Sequence, residues 1–187
     1  MSTVKVNAIR STSGSSDAIT LNSSSGVTAI NGNSLRVQNL VVNGSMAVAQ
    51  RGTSSPSSGI QTVDGFSVNF SGTDQAPTQD QVALTSSDTG PWEKGFRYAF
   101  QLTNGNQTTV GAADYIYIEN RIEAQNMAQS GWDYTSASSY VTLSFWIKSS
   151  VAQNFYGYVR TSDGTGQIYA FETGALTADT WTKITKT

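Results

Sequence analysis

The feature that most constrains the fold is a succession of short β-forming runs over residues 65–187, separated by turn residues. Within the run at 140–150, the apolar residues Val141, Leu143, Phe145 and Ile147 occupy alternate positions, the period of a strand with two different faces. Many short runs of this kind predict an antiparallel β-sandwich or jelly roll. The predicted strands cover residues 65–71, 81–86, 95–103, 114–120, 140–150, 154–161, 167–173 and 180–187.

Aromatic residues are distributed unevenly along the chain. All 4 Trp, 8 Tyr and 7 Phe lie beyond residue 36, whereas residues 1–36 are nearly uncharged and rich in Ser, Thr, Asn and Gly. A self-standing core needs large apolar side chains, so it is predicted only for residues 37–187. Residues 1–36 are therefore predicted to form a separate N-terminal segment.

The N-terminal segment still contains short β-like runs at residues 3–9, 17–21 and 26–30. In the first run Val4 and Val6 share one face, and no aromatic residue is available to cover it. Such strands complete a core by pairing with other chains, as in intertwined trimers. The alternative interpretation is a disordered leader, which the composition also fits.

Two further local patterns complete the predicted layout. Residues 121–129 have the spacing of a short helix, which is predicted to lie in a loop between sheets. The three prolines, Pro56, Pro77 and Pro91, stand in polar surroundings and are predicted to lie in loops.

The chain contains neither cysteine nor histidine. This composition excludes disulfides, thiolate nucleophiles, zinc sites of the Cys/His type and any mechanism with an imidazole base. Carboxylates remain for acid–base chemistry, but surface ion pairs and solvated charges are the favoured interpretation of them. We therefore expect no enzyme activity, no catalytic residue, no metal and no cofactor, and a glycosidase that uses carboxylates alone is the remaining alternative. The carboxylates considered are Asp64, Asp74, Glu93, Asp114, Glu119, Glu123 and Asp133.

The charge balance limits the partners of the chain. With 11 basic and 13 acidic residues the net charge is -2, so neither nucleic acid nor an anionic membrane is a predicted partner. No run of apolar residues approaches the length of a membrane span, and the N-terminus lacks a secretory signal. The protein is expected to be made in the cytoplasm of the cell that produces it.

Aromatic residues in glycine-rich polar loops are candidates for ligand binding. Trp92 lies in GPWEKG, and Trp132 and Tyr134 lie in SGWDYTS. Loops concentrate binding residues, and indole and phenol rings stack on the apolar faces of sugar rings. These three residues are the predicted glycan-binding set, and packing in the sandwich core is the competing interpretation of such aromatic residues.

Five sequence blocks follow one another in a recognisable order: NLVVNGSMAVAQRG at 39–52, VDGF at 63–66, RIEAQNM at 121–127, VTLSFWIKSS at 141–150 and TADTWTKIT at 177–185. Together these blocks resemble a domain found in tail fibre and other virion structural proteins of bacteriophages. The N-terminal run MSTVKVNAIRSTSGSSDAITL is similar to the N-termini of marine phage and cyanophage structural proteins.

This resemblance implies a jelly roll similar to carbohydrate-binding modules, displayed on a fibre that is a homotrimer. It brings no catalytic residues. In the family a further strand follows the block at 177–185, so we expect the native chain to continue past Thr187; the alternative is a fold that closes without that strand.

The predicted function is that of a structural tail fibre protein of the virion, which docks through its N-terminus and contributes to host attachment. Its expected partners are two identical chains, a tail adaptor, nozzle or other virion protein, and a host surface glycan. A capsid-decorating or head fibre protein, and a glycan-binding module without an anchoring role, remain alternatives. The docking residues are predicted to be Val4, Val6, Ile9, Ile19 and Leu21.

Overall fold

The computed structural model describes residues 39–162 and 164–187 in full, and the backbone of four strands within residues 8–34. Within these described residues, one short α-helix and one turn of 3-10 helix at Trp92–Lys94 accompany the strands, so the predicted all-β class is confirmed. The elements in chain order are β1 (Ala8–Arg10), β2 (Asp17–Asn22), β3 (Gly26–Ile30), β4 (Asn33–Ser34), β5 (Ser54–Ser55), β6 (Phe66–Ser71), β7 (Thr78–Ala83), β8 (Tyr98–Thr103), β9 (Tyr115–Asn120), α1 (Ala124–Gln129), β10 (Leu143–Ile147), β11 (Asn154–Arg160), β12 (Ile168–Ala175) and β13 (Thr182–Lys186).

The chain divides into two compact units, and the first combines the part up to Leu40 with Ile122–Trp132. Its strands form an antiparallel sheet in the order β1-β2-β3-β4. The strands predicted at 17–21 and 26–30 and the helix predicted at 121–129 are thereby confirmed.

The predicted docking residues fall in this first unit. Val4 and Val6 lie outside the described residues. Ile9, Ile19 and Leu21 lie on described backbone, where Ile9 is the register partner of Ile19 across β1 and β2. The docking role of all five stays a prediction.

The second unit combines Val41–Arg121 with Asp133–Thr187. Its strands pair antiparallel in four small sheets, β5-β7-β8, β6-β9, β10-β13 and β11-β12. Apolar faces join these sheets in pairs. The rings of Phe66 and Phe100 lie 6.1 Å apart between β6-β9 and β7-β8, and those of Phe145 and Phe171 lie 6.3 Å apart between β10-β13 and β11-β12. This arrangement is compatible with a β-sandwich.

The buried apolar core of the second unit is small and comes from widely separated parts of the chain. Strand alternation explains it in β6, where Phe66 and Val68 point inward and the residues between them are only partly covered. The buried apolar residues are Val63, Phe66, Val68, Leu84, Leu176 and Ile184.

One predicted strand is misplaced along the chain. The pattern at 81–86 predicts a strand there, whereas β7 covers Thr78–Ala83. The difference arises at Gln79, which is almost fully buried although it is polar. Its amide nitrogen donates to the carbonyls of Ser57 and Gly59 at 2.6 and 3.1 Å, and its amide oxygen accepts from the Thr62 hydroxyl at 3.2 Å. These hydrogen bonds compensate for the loss of hydration. Gln79 therefore lies in the core, although a polar residue is normally expected at the surface.

Candidate binding site

One face of the β6-β9 sheet is polar and carries two tyrosines. The register pairs Ser67 with Glu119, Asn69 with Tyr117 and Ser71 with Tyr115, and these six residues form what we call the tyrosine face. The opposite face carries the apolar partners, among them the buried Val68. Alternation in FSVNFS and YIYIEN explains both faces, because every second residue of a strand points the same way.

The two tyrosine rings stack on each other. Tyr115 and Tyr117 have ring centroids 5.5 Å apart and an interplanar angle of 27°. They remain 48% and 39% exposed, respectively. Mutual stacking restricts the rotamers of both rings, so the aromatic surface is ordered before any ligand arrives.

Charged and polar groups lie beside the rings. Arg121 contacts Oε1 of Glu119 through Nε at 3.0 Å and through NH2 at 2.8 Å. Both contacts use the same carboxylate oxygen, and the Arg121 side chain is largely exposed, so acceptor and donor capacity remain for a ligand. Asn69 donates to the Ser67 hydroxyl at 3.1 Å, which orients its amide on the same face.

A hollow opens at each end of the tyrosine face. The first has a volume of about 340 Å³ and is lined by Glu119 and Arg121 together with Gly59, Ile60, Gly65 and Ser67. The second has a volume of about 320 Å³, and Tyr115 and Asp114 line it together with polar loop residues and the apolar residues Val110 and Ile116. Tyr115 and Glu119 stand four positions apart on β9, a distance of about 13 Å. The two hollows thus lie near opposite ends of the tyrosine pair.

Loop contacts fix the rim of the second hollow. The backbone N–H of Thr108 donates to Asp74 at 2.7 Å, and the backbone N–H of Asp74 donates to the side chain of Gln107 at 2.8 Å. The Thr108 hydroxyl also donates to Asp74, and this bond is the main reason why the pKa of that carboxyl lies below its usual value. Gln107 itself lines the hollow, so one side of it is ordered by the contact between the two loops.

The structure places the three residues of the predicted glycan-binding set differently. Trp92 opens the short 3-10 helix, is half-buried, and has the Arg97 guanidinium 3.8 Å from its ring centroid. Trp132 is half-buried in the first unit, and Tyr134 is highly exposed in the second. Their role in glycan binding stays a prediction.

Most of the carboxylates considered from the sequence are engaged in local contacts. Asp64 pairs with Arg51 at 2.7 Å, and Glu119 pairs with Arg121. Asp114 accepts the backbone N–H of Gly111 at 2.6 Å, and Asp133 accepts that of Thr135 at 3.0 Å. These contacts agree with the interpretation of the acidic residues as surface ion pairs and turn-forming groups.

Across the described residues, no group of three or more acidic side chains is placed to hold a metal ion. The same part of the chain contains no helix long and apolar enough to cross a membrane. Comparisons with protein-family models, with curated proteins and with solved structures gave no match.

Sequence reasoning missed the tyrosine face although the signal was present. In DYIYIEN the residues Tyr115, Tyr117 and Glu119 alternate with Ile116 and Ile118. A strand with isoleucine on one face and tyrosine with glutamate on the other presents an aromatic and charged surface to solvent.

Proposed function

We propose that this chain is a structural component of a bacteriophage tail fibre and that its β-domain binds a saccharide of the host surface. The observation that supports saccharide binding is the stacked pair Tyr115 and Tyr117 beside the Glu119–Arg121 ion pair on an exposed sheet face. The fibre assignment rests on the resemblance of the sequence blocks to phage virion proteins and agrees with the all-β architecture.

The chemistry of the tyrosine face suits a sugar better than a purely apolar or a strongly charged ligand. Tyrosine rings stack on the C–H faces of pyranose rings, and tyrosine hydroxyls exchange hydrogen bonds with sugar hydroxyls. The Glu119 carboxylate accepts hydrogen bonds and the Arg121 guanidinium donates them. Neighbouring hydroxyl groups of a sugar can use both, because each hydroxyl is a donor and an acceptor. Because Glu119 and Arg121 neutralise each other, the face carries no strong field for a polyanion.

Binding to one chain is expected to be weak. Each aromatic contact contributes about 0.5–1.5 kcal/mol beyond area burial, and the hollows are shallow surface features. A homotrimer anchored to the particle through residues 1–36 presents three copies of the tyrosine face, and a particle with several fibres presents more. Avidity then converts weak single contacts into stable host attachment.

The test is a screen of the purified full chain against an array of bacterial surface polysaccharides. We expect saturable binding that falls at least about tenfold in the variants Tyr115→Ala and Tyr117→Ala. Tyr98→Ala is the matched control, because Tyr98 is 39% exposed like Tyr117 but lies on β8, outside the tyrosine face. Absence of saturable binding, or equal loss in the Tyr98 control, would refute saccharide binding at this face.

A further inference from the structure

One face of the hairpin β11-β12 is exposed and carries large side chains between two charged ends. Its register pairs Tyr156 with Glu172, Tyr158 with Ala170 and Arg160 with Ile168, and these six residues form what we call the hairpin face. Tyr156, Tyr158 and Ile168 are 80%, 54% and 68% exposed, respectively. Several large side chains exposed to this extent along one face are a mark of an interaction surface.

The other face of the same hairpin contacts the rest of the domain at one residue pair, whereas Val159 and Tyr169 on that face are 46% and 52% exposed. There Gly157 is paired with Phe171, whose ring lies 6.3 Å from that of Phe145 on β10. The hairpin is thus held from one side, which fixes the orientation of the exposed side. A partner of the hairpin face therefore meets a positioned surface and not a free loop.

Two opposite charges mark the two ends of the hairpin face. Glu172 lies beside Tyr156 at one end, and Arg160 lies beside Ile168 at the other, four residues further along β11, or about 13 Å. The Asn154 amide donates to Glu172 at 2.6 Å and so orients its carboxylate. Among the ion pairs of the described residues, none includes Arg160 or Glu172.

The charges of this face are complementary to those of a second copy that runs antiparallel to it. When two copies meet face to face with antiparallel strands, a two-fold axis brings Arg160 of each chain to Glu172 of the other, while the tyrosines cover each other. A three-fold arrangement with parallel strands would place the Glu172 carboxylates at one level, where they repel. We propose that the occupant of the hairpin face is the hairpin face of a second copy of this chain.

The contact is small, so it is expected to be weak and dependent on concentration. A two-stranded face falls at the low end of interface sizes, well below that of permanent dimers. This association depends neither on saccharide binding nor on trimer formation. Whatever mass the protein has at low concentration, we expect that mass to double as the concentration rises. Between fibres, the same contact would join neighbouring fibres side by side.

Charge reversal provides the test, read by sedimentation velocity of the full chain across micromolar to millimolar concentrations. We expect the wild-type mass to double with concentration, and the single variants Arg160→Glu and Glu172→Lys each to weaken this association by at least about tenfold. An equimolar mixture of the two variants should restore it, because each chain then offers the charges that the other lacks. Glu93→Lys, an exposed reversal on the 3-10 helix, should behave like the wild type.

A second pair of variants tests the apolar part of the face. Tyr156→Ser should reduce the association, whereas Tyr140→Ser, a tyrosine that is 70% exposed outside the hairpin, should not. Circular dichroism establishes that each variant is folded. A wild-type mass that stays constant over the whole range, or a mixture of charge variants that associates no better than either alone, would overturn the proposal.

Discussion

The carboxylate of Asp88 accepts the indole N–H of Trp181 at 3.0 Å, across 93 residues of sequence. The same oxygen receives the ammonium of Lys148 at 3.1 Å, and that ammonium lies 5.0 Å from the centre of the Trp181 ring. The backbone N–H of Thr85 donates to the second oxygen at 2.9 Å. One aspartate therefore links the turn after β7 to the residue that follows β10 and to the residue that precedes β13.

Removing the indole donor should destabilise the domain. We expect Trp181→Phe to lower the free energy of unfolding by about 1–3 kcal/mol, since a hydrogen bond to a charged group is lost while an aromatic ring remains. Asp88→Asn should cost a similar amount, and the double variant should lose less than the sum of the two. Urea denaturation measures all three. Strict additivity would show that the two side chains do not act together.

Acid stability should depend on Asp88. The indole N–H of Trp181, followed by the Thr85 backbone N–H and Lys148, holds the pKa of the Asp88 carboxyl well below its usual value of 3.8. The stabilisation is therefore complete above pH 3.8 and is lost as the pH falls through the folded-state pKa, because the unfolded state takes up its proton first.

Urea denaturation at a series of pH values measures this effect. The difference in unfolding free energy between the wild type and Asp88→Asn should be largest near neutral pH and should shrink in acid. Asp74 and Asp133, whose pKa values are also lowered, contribute equally to both proteins and cancel from the difference. A difference that stays constant with pH would contradict the assignment.

The hairpin β11-β12 depends on a glycine beneath an aromatic ring. A Cβ at Gly157 would lie 2.5 Å from the ring of Phe171, which itself packs on Phe145. We expect Gly157→Ala to lower the unfolding free energy by about 1–3 kcal/mol through overpacking. In Gly166→Ala, the matched control in the turn of the same hairpin, the new methyl group meets only the Thr161 carbonyl at 3.5 Å. That variant should be at least as stable as the wild type in thermal denaturation. Equal losses in both would point to a general effect of the substitution.

The N-terminal segment should be required for incorporation into particles and not for folding of the β-domain. We expect particles assembled with a chain lacking residues 1–36 to contain none of it, because the predicted docking strands are gone. Circular dichroism of the truncated protein should retain a β-type spectrum. Light scattering of the full chain at low concentration should give one mass, equal to three times the mass of a single chain. Particles that carry the truncated chain would contradict the docking role.

Features of this structure that depend on neighbouring residues could be predicted from the sequence, whereas features that depend on residues far away along the chain could not. Alternation alone locates β6 and β9. In β6, Phe66 and Val68 stand two positions apart, and in β9 the same spacing separates Tyr115 from Tyr117. The burial of Gln79 depends on carbonyls about 20 residues away, so a pattern cannot show it. The partners of Asp88 lie 60 and 93 residues away, and nothing near Asp88 in the sequence marks it.

The candidate binding site also has one feature that could be predicted from the sequence and one that could not. An aromatic and polar strand face was predictable from DYIYIEN, but the hollows beside it were not, because each forms where residues from separate parts of the chain meet. At Trp92 the structure adds a contact that the sequence does not show, because the Arg97 guanidinium lies over its ring. The glycan-binding role of Trp92 stays a prediction.

The central claim is that a saccharide binds across Tyr115 and Tyr117, and nuclear magnetic resonance with selectively labelled tyrosine tests it most directly. The chain has 8 tyrosines, which report on well-separated parts of its surface. On titration with an oligosaccharide fragment of the polysaccharide selected on the array, we expect the signals of Tyr115 and Tyr117 to shift and saturate together while that of Tyr98 stays in place. Shifts confined to Tyr134, or no shift at any tyrosine, would contradict the claim.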